Sequence, residues 1–390
     1  MIEPTIRGIA PEYAEKLLKM LGALSARPSN PHAVLALESA DGSFAWSGAA
    51  GAANAGGVPM TVDTPYFIAS IDKLYIATAT LRLVERGSVR LDEPIATYLP
   101  ESLWRAIHVL DGTDHSASIT VGHLLSHTSG LADYLEDRPK GGRSLIEILV
   151  EDGDRSWGAE EPMARVRDEL VPHFAPQPPS ASKPRVRYCD TNFQLLIALI
   201  ESVSGRRLAD VFADDIFRPL GMRHTYFPGV TEPDEKPAAP PSDLWFGDKV
   251  LDLPRALVSL RSINSTAADQ IVSLKGILDG SVFERPETAA LMRRQWNRFG
   301  FPVDAAALRA PGWPIEYGLG MMRFELPRWA SPFAAVPAVI GHTGSTGSWL
   351  FHCPELDVYL AGTVDQATAG AVPYRFVPQV LTVLGRAMAR

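Results

Sequence analysis

The sequence predicts a mixed α/β fold, in which strands from both ends of the chain form one mainly antiparallel sheet around an inserted helical domain. Two observations indicate this arrangement. Strand-like segments occur near both termini, whereas apolar helical segments and long irregular connections fill the stretch between them. Strand segments in the last third follow one another closely enough to form hairpins, which favours antiparallel pairing. We expect residues 1–70 and 261–390 to form the sheet domain and residues 71–260 the mainly helical domain.

The N-terminal part begins with a helix and a hairpin. Residues 11–24 place apolar side chains near helical spacing, which predicts an amphipathic helix. Residues 33–37 and 43–46 have strand-like composition and are separated by Asp41-Gly42, a pair typical of hairpin turns. From residue 71 to residue 84 apolar side chains occur on nearly every face, which predicts a helix buried in a domain interior.

Further helices and a long loop follow in the middle of the chain. Thr120 is a plausible N-cap for a helix that begins at the next residue. Residues 172–184 contain five prolines, which predicts a loop at the rim of a pocket. Residues 192–203 form a second apolar helix that ends at Gly205. The last third holds three predicted strands and a closing helix, at residues 317–324, 348–352, 358–363 and 373–388.

The composition is that of an ordinary globular protein and excludes several classes of function. The chain has 390 residues, of which 46% are hydrophobic and 21% are charged, and its net charge is −8. This charge, together with the lack of a basic run, argues against nucleic-acid binding, and no apolar run has the length of a membrane span. Cys189 and Cys353 are too few for a disulfide framework, so we expect free thiols. Because the N-terminus lacks the apolar core of a signal peptide, we expect a cytoplasmic protein.

A Ser-x-x-Lys motif stands at the start of the predicted buried helix. Ser70 and Lys73 are three residues apart and therefore share a helix face. Lys73 is the only cation between Asp63 and Arg82, so we expect desolvation to lower its pKa and allow it to activate the Ser70 hydroxyl. The plain structural alternative is an N-cap serine followed by a lysine that reaches out to solvent.

Two other segments supply groups that an acyl-transfer site requires. Tyr188 lies just ahead of the second apolar helix, and His342 lies in the glycine-rich segment 341–348. Glycines there allow the backbone to approach a ligand closely. Taken alone, Tyr188 is typical of a packing residue and His342 of a turn residue, so their meaning depends on where they lie relative to Ser70.

A metal site is a weaker interpretation of the histidines in the middle of the chain. His123 and His127 are four residues apart, which matches the spacing of a helical zinc pair. Leu124 occupies the position where that motif requires a glutamate, and no third ligand is evident nearby. We therefore expect neither a metal nor a cofactor.

In chain order, the motifs Ser-x-x-Lys, Tyr-x-Asp and His-Thr-Gly resemble those of the serine β-lactamase-like superfamily. The most similar branch contains class C β-lactamases, serine DD-peptidases, family VIII carboxylesterases and D-amino-acid amidases or peptidases. The resemblance extends from Val34 to Gly362 and includes further landmarks at residues 83–87, 98–101, 123–131, 217–222 and 317–320. It implies a serine β-lactamase-like fold of the α/β (α+β) class: an antiparallel sheet flanked by helices on both faces, with an inserted all-helical domain and the site between the two.

The resemblance also implies roles for the motif residues. Ser70 is the expected nucleophile, and Lys73 is its proton acceptor or electrostatic partner. Tyr188 is the expected second base, which passes a proton to the leaving group and later activates water. His342 occupies the position where β-lactamases carry lysine and some DD-peptidases carry histidine.

The substrate-binding residues follow from the same resemblance. The expected oxyanion hole consists of the backbone N–H groups of Ser70 and Ser345, and Thr343 and Gly344 lie beside it. Asp190 replaces the asparagine that binds a substrate amide in relatives, which argues against efficient recognition of β-lactams or peptides. The segment 260–266 lacks the paired glycines that relatives commonly carry, so we also expect a reshaped pocket wall.

These features predict a serine hydrolase that acts through an acyl-enzyme, with a small-molecule ester or amide as its substrate. Carboxylesterase activity on small esters is the first expectation. D-amino-acid amidase or peptidase activity is the second, and weak β-lactamase activity is the third. The alternative outside enzymology is a catalytically silent binding or scaffold protein on the same fold, which an intact Ser70, Lys73, Tyr188 and His342 disfavours. The sequence does not specify an oligomeric state.

Overall fold

The fold centres on a nine-stranded antiparallel sheet, seen in a computed structural model that describes residues 6–27, 29–178, 181–301, 311–326 and 336–388. The strands of the described residues are β1 (Ile6–Arg7), β2 (His32–Ser39), β3 (Ala45–Gly51), β4 (Tyr66–Phe67), β5 (Val109–Leu110), β6 (Thr113–Asp114), β7 (Trp245–Phe246), β8 (Lys249–Val250), β9 (Asn264–Ser265), β10 (Asn297–Arg298), β11 (Glu316–Tyr317), β12 (Met322–Phe324), β13 (Val339–Thr343), β14 (Trp349–Cys353) and β15 (Val358–Thr363). Their α-helices are α1 (Pro11–Ser25), α2 (Asp72–Glu85), α3 (Glu101–Trp104), α4 (Val121–Leu125), α5 (Leu145–Asp152), α6 (Glu160–Glu169), α7 (Asp190–Ser204), α8 (Leu208–Phe212), α9 (Arg218–Leu220), α10 (Pro254–Ser259), α11 (Ala267–Asp279) and α12 (Pro373–Met388).

The two ends of the chain meet in the middle of the sheet. The strand order is β1-β3-β2-β15-β14-β13-β12-β11-β10, with every neighbouring pair antiparallel. β2 lies beside β15, with Val34 opposite Thr363. The predicted mixed α/β fold with an antiparallel sheet is therefore confirmed. The domain boundaries at residues 70 and 260 stay a prediction.

Helices cover both faces of the sheet because alternate side chains of each strand point to opposite faces. Leu35 and Phe351 belong to a core shared with α1 and α12. Val34 and Leu350, one residue away on the same strands, belong to the core that contains α2, α7 and α11. The second core therefore joins the sheet to the helices that carry the Ser-x-x-Lys and Tyr-x-Asp motifs.

Most predicted elements agree with the structure. The helix at the N-terminus, the first hairpin, the buried helix α2 and the closing helix α12 are all confirmed. Helix α7 ends at Gly205, which adopts the left-handed conformation expected of a helix C-cap. The described part of the proline-rich segment 172–184 contains no helix or strand, as predicted, and its residues 179–180 lie outside the described residues. Residues 1–5, on which the expectation about a signal peptide partly depends, also lie outside them.

The single strand predicted at residues 317–324 is wrong, because the chain folds there into two antiparallel strands. β11 ends at Tyr317, and β12 begins at Met322. In the turn between them Gly320 has φ +73°, and a Cβ at that position would lie 2.1 Å from the Ala77 Cβ of α2. The turn needs glycine for its conformation and for its close approach to the helix.

A buried histidine–carboxylate pair holds the start of β2 against the end of β15. The Nε2 atom of His32 lies 2.8 Å from a carboxylate oxygen of Asp365, and its Nδ1 atom lies 2.9 Å from the carbonyl oxygen of Ala52. A carbonyl and a carboxylate can only accept hydrogen bonds, so both ring nitrogens of His32 donate and the ring is positively charged. Burial alone would lower the pKa of His32, but the hydrogen bond and charge of Asp365 raise it.

Two further findings concern expectations from composition. Both cysteines are buried and free. None of the helices in the described ranges combines the length and the hydropathy that crossing a bilayer requires.

Candidate active site

Ser70 lies on a tight turn that leads into helix α2. The preceding strand β4 pairs with β9, and the backbone N–H of Ile68 donates to the carbonyl oxygen of Ile263 at 3.1 Å. Ala69 then adopts a left-handed conformation with φ +48°, which is uncommon for a residue with a Cβ. The Ile68 carbonyl oxygen accepts a hydrogen bond from the Ser348 hydroxyl at 2.9 Å. The turn that carries Ser70 is therefore held from two sides, while the Ser70 side chain remains partly exposed.

Lys73 contacts the predicted nucleophile, but its ionisation differs from the prediction. Its Nζ atom lies 3.1 Å from Ser70 Oγ and 2.6 Å from Asp190 Oδ1. Burial alone would lower the pKa of Lys73, but the charges of Asp190 and Asp72 together raise it above the usual lysine value. The predicted lowering of this pKa is wrong, because the decisive carboxylate comes from a distant part of the chain.

Asp190 is the first residue of helix α7, and its carboxylate faces Lys73. Its backbone N–H donates to Asp133 Oδ2 at 2.8 Å, which fixes the start of the helix. A second carboxylate, Asp72, lies 3.9 Å from Lys73 Nζ, and its Oδ1 atom has no hydrogen-bond partner among the described residues. Burial raises the pKa of Asp72 to about 6 despite the opposing charge of Lys73. One ammonium group therefore lies between two carboxyl groups beside Ser70.

Tyr188 is buried against the same lysine. Its ring centroid lies 5.3 Å from Lys73 Nζ. Burial and the charge of Asp190 raise its pKa well above the usual tyrosine value, with a smaller opposing influence from the Ser70 hydroxyl. The Tyr188 hydroxyl is buried and forms no hydrogen bond of normal geometry with any residue that the structure describes. It is therefore a neutral phenol near Ser70 whose hydroxyl group remains available.

His342 lies on β13 and is neutral. Its Nδ1 atom lies 2.7 Å from the Thr343 carbonyl oxygen, which can only accept, so Nδ1 carries the proton. Its Nε2 atom lies 3.0 Å from the Tyr317 hydroxyl and accepts from it. Burial and the charge of Lys73 lower the pKa of His342 to about 3. The site therefore has no positive charge at the position where β-lactamases carry lysine.

The segment after His342 lies against the turn that carries Ser70. A Cβ built on Gly344 would lie 2.2 Å from Ser348 Oγ and 2.8 Å from the Ile68 carbonyl oxygen, so glycine is needed for this approach. The Thr343 hydroxyl lies 2.7 Å from the Tyr374 hydroxyl, and Ser345 is exposed. The structure thus brings the His-Thr-Gly segment to Ser70, while the predicted oxyanion role of Ser345 stays a prediction.

His127 also belongs to this site, although the sequence alone did not predict it there. It is fully buried, and its ring centroid lies 4.4 Å from that of Tyr188 and 4.6 Å from that of Tyr317. Its Nδ1 atom accepts from the backbone N–H of Cys189 at 3.2 Å and from the Asn192 side chain at 3.0 Å, so the remaining ring proton is on Nε2. In the sequence His127 stood out only as a member of the possible metal pair and of the landmark at residues 123–131, and neither indicated a place beside Tyr188.

The rejected metal pair has other hydrogen-bond partners. His123 accepts from the backbone N–H of Thr120 at 3.0 Å and lies 2.6 Å from the Gln177 carbonyl oxygen. Within the described ranges no group of three or more potential ligands is arranged to hold a metal ion.

The fold and the grouping of serine, lysine and tyrosine on it define a serine hydrolase of the β-lactamase-like superfamily. The chain belongs to the beta-lactamase family, whose family model matches residues 31–375.

Curated relatives and solved structures agree with this assignment. Penicillin-binding protein 4 of Amycolatopsis lactamdurans is 27% identical over 307 residues, which cover 75% of this chain and 68% of that protein. Esterase EstB of Burkholderia gladioli is 33% identical over 190 residues, which cover 48% of this chain and 44% of the esterase. The structure of D-amino acid amidase from Ochrobactrum anthropi SV3 superposes with a TM-score of 0.74 and 22% identity, covering 97% of this chain and 100% of that one, which shows a shared fold.

Proposed function

We propose that this protein is a carboxylesterase that cleaves small esters through an acyl-enzyme on Ser70. The observation that carries the proposal is the Asp190 carboxylate, which lies 2.6 Å from Lys73 at the position where relatives carry an amide. The similarity to an esterase over 48% of the chain supports the same assignment.

In the proposed reaction Ser70 Oγ attacks the ester carbonyl carbon, and its proton leaves through the neighbouring Lys73 side chain, whose Nζ atom lies 3.1 Å away. The negative charge that develops on the carbonyl oxygen is stabilised by the backbone N–H groups of Ser70 and Ser345. Lys73, as an ammonium ion, stabilises the same charge electrostatically. Tyr188 protonates the departing alkoxide and, in the second half of the reaction, orients the water that hydrolyses the acyl-enzyme through a hydrogen bond with the Tyr188 hydroxyl group.

An amide or lactam substrate places greater demands on this site than an ester does. Its leaving nitrogen must be protonated, and the side-chain amide of a β-lactam needs a hydrogen-bond donor for its carbonyl oxygen. An ionised Asp190 can only accept hydrogen bonds, and its Oδ1 atom is already engaged by Lys73. An unpaired polar group in such a contact costs about 1–3 kcal/mol, or roughly a five- to 150-fold loss of turnover.

A short substrate panel tests the proposal. p-Nitrophenyl butyrate should be hydrolysed with a higher kcat/KM than nitrocefin or a D-amino-acid p-nitroanilide. Asp190→Asn should raise nitrocefin turnover relative to ester turnover, since it restores a donor at that position. Faster nitrocefin hydrolysis than ester hydrolysis by the wild-type protein would refute the ester assignment. Faster cleavage of the anilide would instead favour the amidase.

Covalent trapping tests the nucleophile and the alternative of a silent scaffold. A fluorophosphonate should form an adduct that maps to the peptide containing Ser70, and Ser70→Ala should abolish it. Labelling of Ser345 or Ser348 would show that the site is assigned wrongly. A wild-type protein that forms no adduct and hydrolyses no member of the panel would support the scaffold.

A further inference from the structure

We propose that Asp190 completes a three-residue proton relay, in which Lys73 passes the Ser70 proton on to the Asp190 carboxylate. Asp190 would thus be a positioning residue that acts through Lys73, rather than a partner of the substrate. The inference rests on Ser70 being the nucleophile of the proposed function, but it does not depend on which acyl compound is the substrate.

The three groups form one continuous line of contacts. Ser70 Oγ lies 3.1 Å from Lys73 Nζ, and Lys73 Nζ lies 2.6 Å from Asp190 Oδ1. The side chains of Lys73 and Asp190 are only 5% and 17% exposed, so water competes little for either contact. Charge-assisted hydrogen bonds in such surroundings are short and strong.

Helix α7 holds Asp190 in this line. The Asp190 backbone N–H is bound to Asp133 Oδ2 at 2.8 Å, and the next residue, Thr191, donates its hydroxyl proton to the Ala132 carbonyl oxygen at 2.7 Å. The carboxylate is therefore presented to Lys73 by a fixed helix terminus. Asp72 lies 3.9 Å from Nζ, beyond hydrogen-bond distance, and so lies beside the relay rather than within it.

The charges at the site explain why the relay needs a third member. Lys73 is an ammonium ion and can take the Ser70 proton only if it releases one of its own. Tyr188 is a neutral phenol, since burial raises its pKa well above the usual value, and therefore offers no phenolate base. The Nε2 atom of His342 already accepts a hydrogen bond from Tyr317. Asp190 is the acceptor in direct contact with the ammonium group.

Acylation has two stages, the attack of Ser70 and the departure of the leaving group, and over the two stages together the only net transfer is that of the Ser70 proton to the leaving group. As Ser70 Oγ forms its bond to the acyl carbon, its proton moves to Lys73 Nζ and one Nζ proton moves to Asp190 Oδ1. Lys73 remains an ammonium ion, Asp190 becomes a neutral carboxylic acid, and the negative charge resides on the carbonyl oxygen. When the leaving group departs it takes the hydroxyl proton of Tyr188, Lys73 passes a proton to Tyr188, and Asp190 returns its proton to Lys73.

An asparagine at position 190 could not work in this way, because a side-chain amide accepts a hydrogen bond but does not take up a proton. In Asp190→Asn, Lys73 loses its nearest counterion and must itself be neutral before it can accept the Ser70 proton. Two protons therefore move in the wild-type protein and one moves in the variant.

The rate at which a fluorophosphonate modifies Ser70 measures this step without reference to the natural substrate. We would measure its second-order rate constant from pH 5 to pH 10 and in mixtures of H₂O and D₂O. In the wild-type protein a plot of the rate against the deuterium fraction should be a bowed curve, which indicates that two protons move in the step. The rate should not increase with pH, because Lys73 does not need to lose its proton first. In Asp190→Asn the deuterium dependence should be linear, and the rate at pH 6 should be about a hundredfold lower and rise with pH.

Two other variants separate a relay from a general charge effect. Asp72→Asn removes the other carboxyl group beside Lys73 but leaves both contacts of the relay intact. Because the pKa of Asp72 is about 6, the comparison is made above pH 7, where Asp72 is ionised, and there the bowed curve and the rate should match those of the wild-type protein. Asp190→Glu retains an acceptor and should restore the bowed curve in part. A circular dichroism spectrum of each variant checks that it is folded.

The proposal is overturned if Asp190→Asn retains the wild-type pH profile and deuterium dependence, or if Asp72→Asn changes both of them as much as Asp190→Asn does. Failure of the ester assignment would give a different result: fluorophosphonate labelling of Ser70 that depends on Asp190, without hydrolysis of p-nitrophenyl butyrate.

Discussion

Replacement of Lys73 by an uncharged residue should lower the free energy of unfolding. A second substitution that also removes the Asp190 carboxylate should restore most of that loss. In Lys73→Met the Asp190 carboxylate loses a cation at 2.6 Å and Asp72 loses one at 3.9 Å. Each carboxyl group must then stay ionised in a buried site or take up a proton. Keeping an aspartic acid protonated at pH 7 costs roughly 4 kcal/mol, because its ordinary pKa is about 3.9 and each unit corresponds to 1.36 kcal/mol. Breaking a buried ion pair from one side costs about 3–5 kcal/mol, so we expect a loss of about 3–4 kcal/mol.

Urea denaturation of a double-mutant cycle measures this coupling. In Lys73→Met/Asp190→Asn the nearer carboxylate is gone together with the cation, so the double variant should be more stable than Lys73→Met by about 2 kcal/mol or more. At pH 4 the penalty of Lys73→Met should shrink, because a carboxyl group takes up a proton at little cost there. The reasoning is refuted if Lys73→Met is as stable as the wild-type protein at pH 7, or if the double variant is no more stable than the single one.

Three further predictions concern other parts of the site and the sheet. Gly344→Ala places a Cβ 2.2 Å from the Ser348 hydroxyl oxygen, so it should lower stability by about 1–3 kcal/mol and reduce kcat. The control Gly22→Ala lies in helix α1, where a Cβ would meet nothing within 4 Å, so it should be neutral or stabilising in thermal melts. Tyr188→Phe should lower kcat by roughly two to four orders of magnitude, and an unchanged kcat would contradict the role of Tyr188. Its urea midpoint should be unchanged or higher, because the buried Tyr188 hydroxyl has no hydrogen-bond partner among the described residues. The pKa of His32 is raised in the folded state, so its stabilising contribution is fully present below the ordinary value of about 6.5 and is lost as the pH rises through the folded-state value. Wild-type urea midpoints should therefore fall more steeply than those of His32→Gln above about pH 6.5, and parallel curves would contradict this.

The sequence was sufficient for the parts of the fold that depend on local periodicity. Helices α1, α2 and α12 and the strands of the last third follow from runs of apolar residues at spacings of 3.6 or 2. The turn between β11 and β12 was missed because residues 317–324 have the composition of one strand apart from Gly318 and Gly320, and isolated glycines also occur within strands. Their close contacts come from segments that are distant in sequence, so nothing in the run itself revealed them.

The electrostatics of the candidate site were beyond local sequence for a similar reason. The apolar residues that flank Lys73 in the sequence predicted a lysine with a lowered pKa. The structure adds Asp190, which lies 117 residues further along the chain and 2.6 Å away in space. The place of His127 in the site was equally hidden, because it depends on the contact with the ring of Tyr188, 4.4 Å away, rather than on the neighbours of His127 in sequence.

The position of β15 between β2 and β14 has a consequence for biosynthesis. β2 is complete when the ribosome has added Ser39, but its partner is complete only after Thr363, so 324 further residues (40–363) must be translated first. At about 5–20 residues per second this takes roughly 15–65 s, during which the nascent N-terminal hairpin has an unpaired edge. The turn that carries Ser70 is also made early, but it lacks its contact with Ser348 until the late strands arrive. A newly synthesised chain is therefore both inactive and prone to association until its final strands are released, and chaperones that shield strand edges should bind it in that interval.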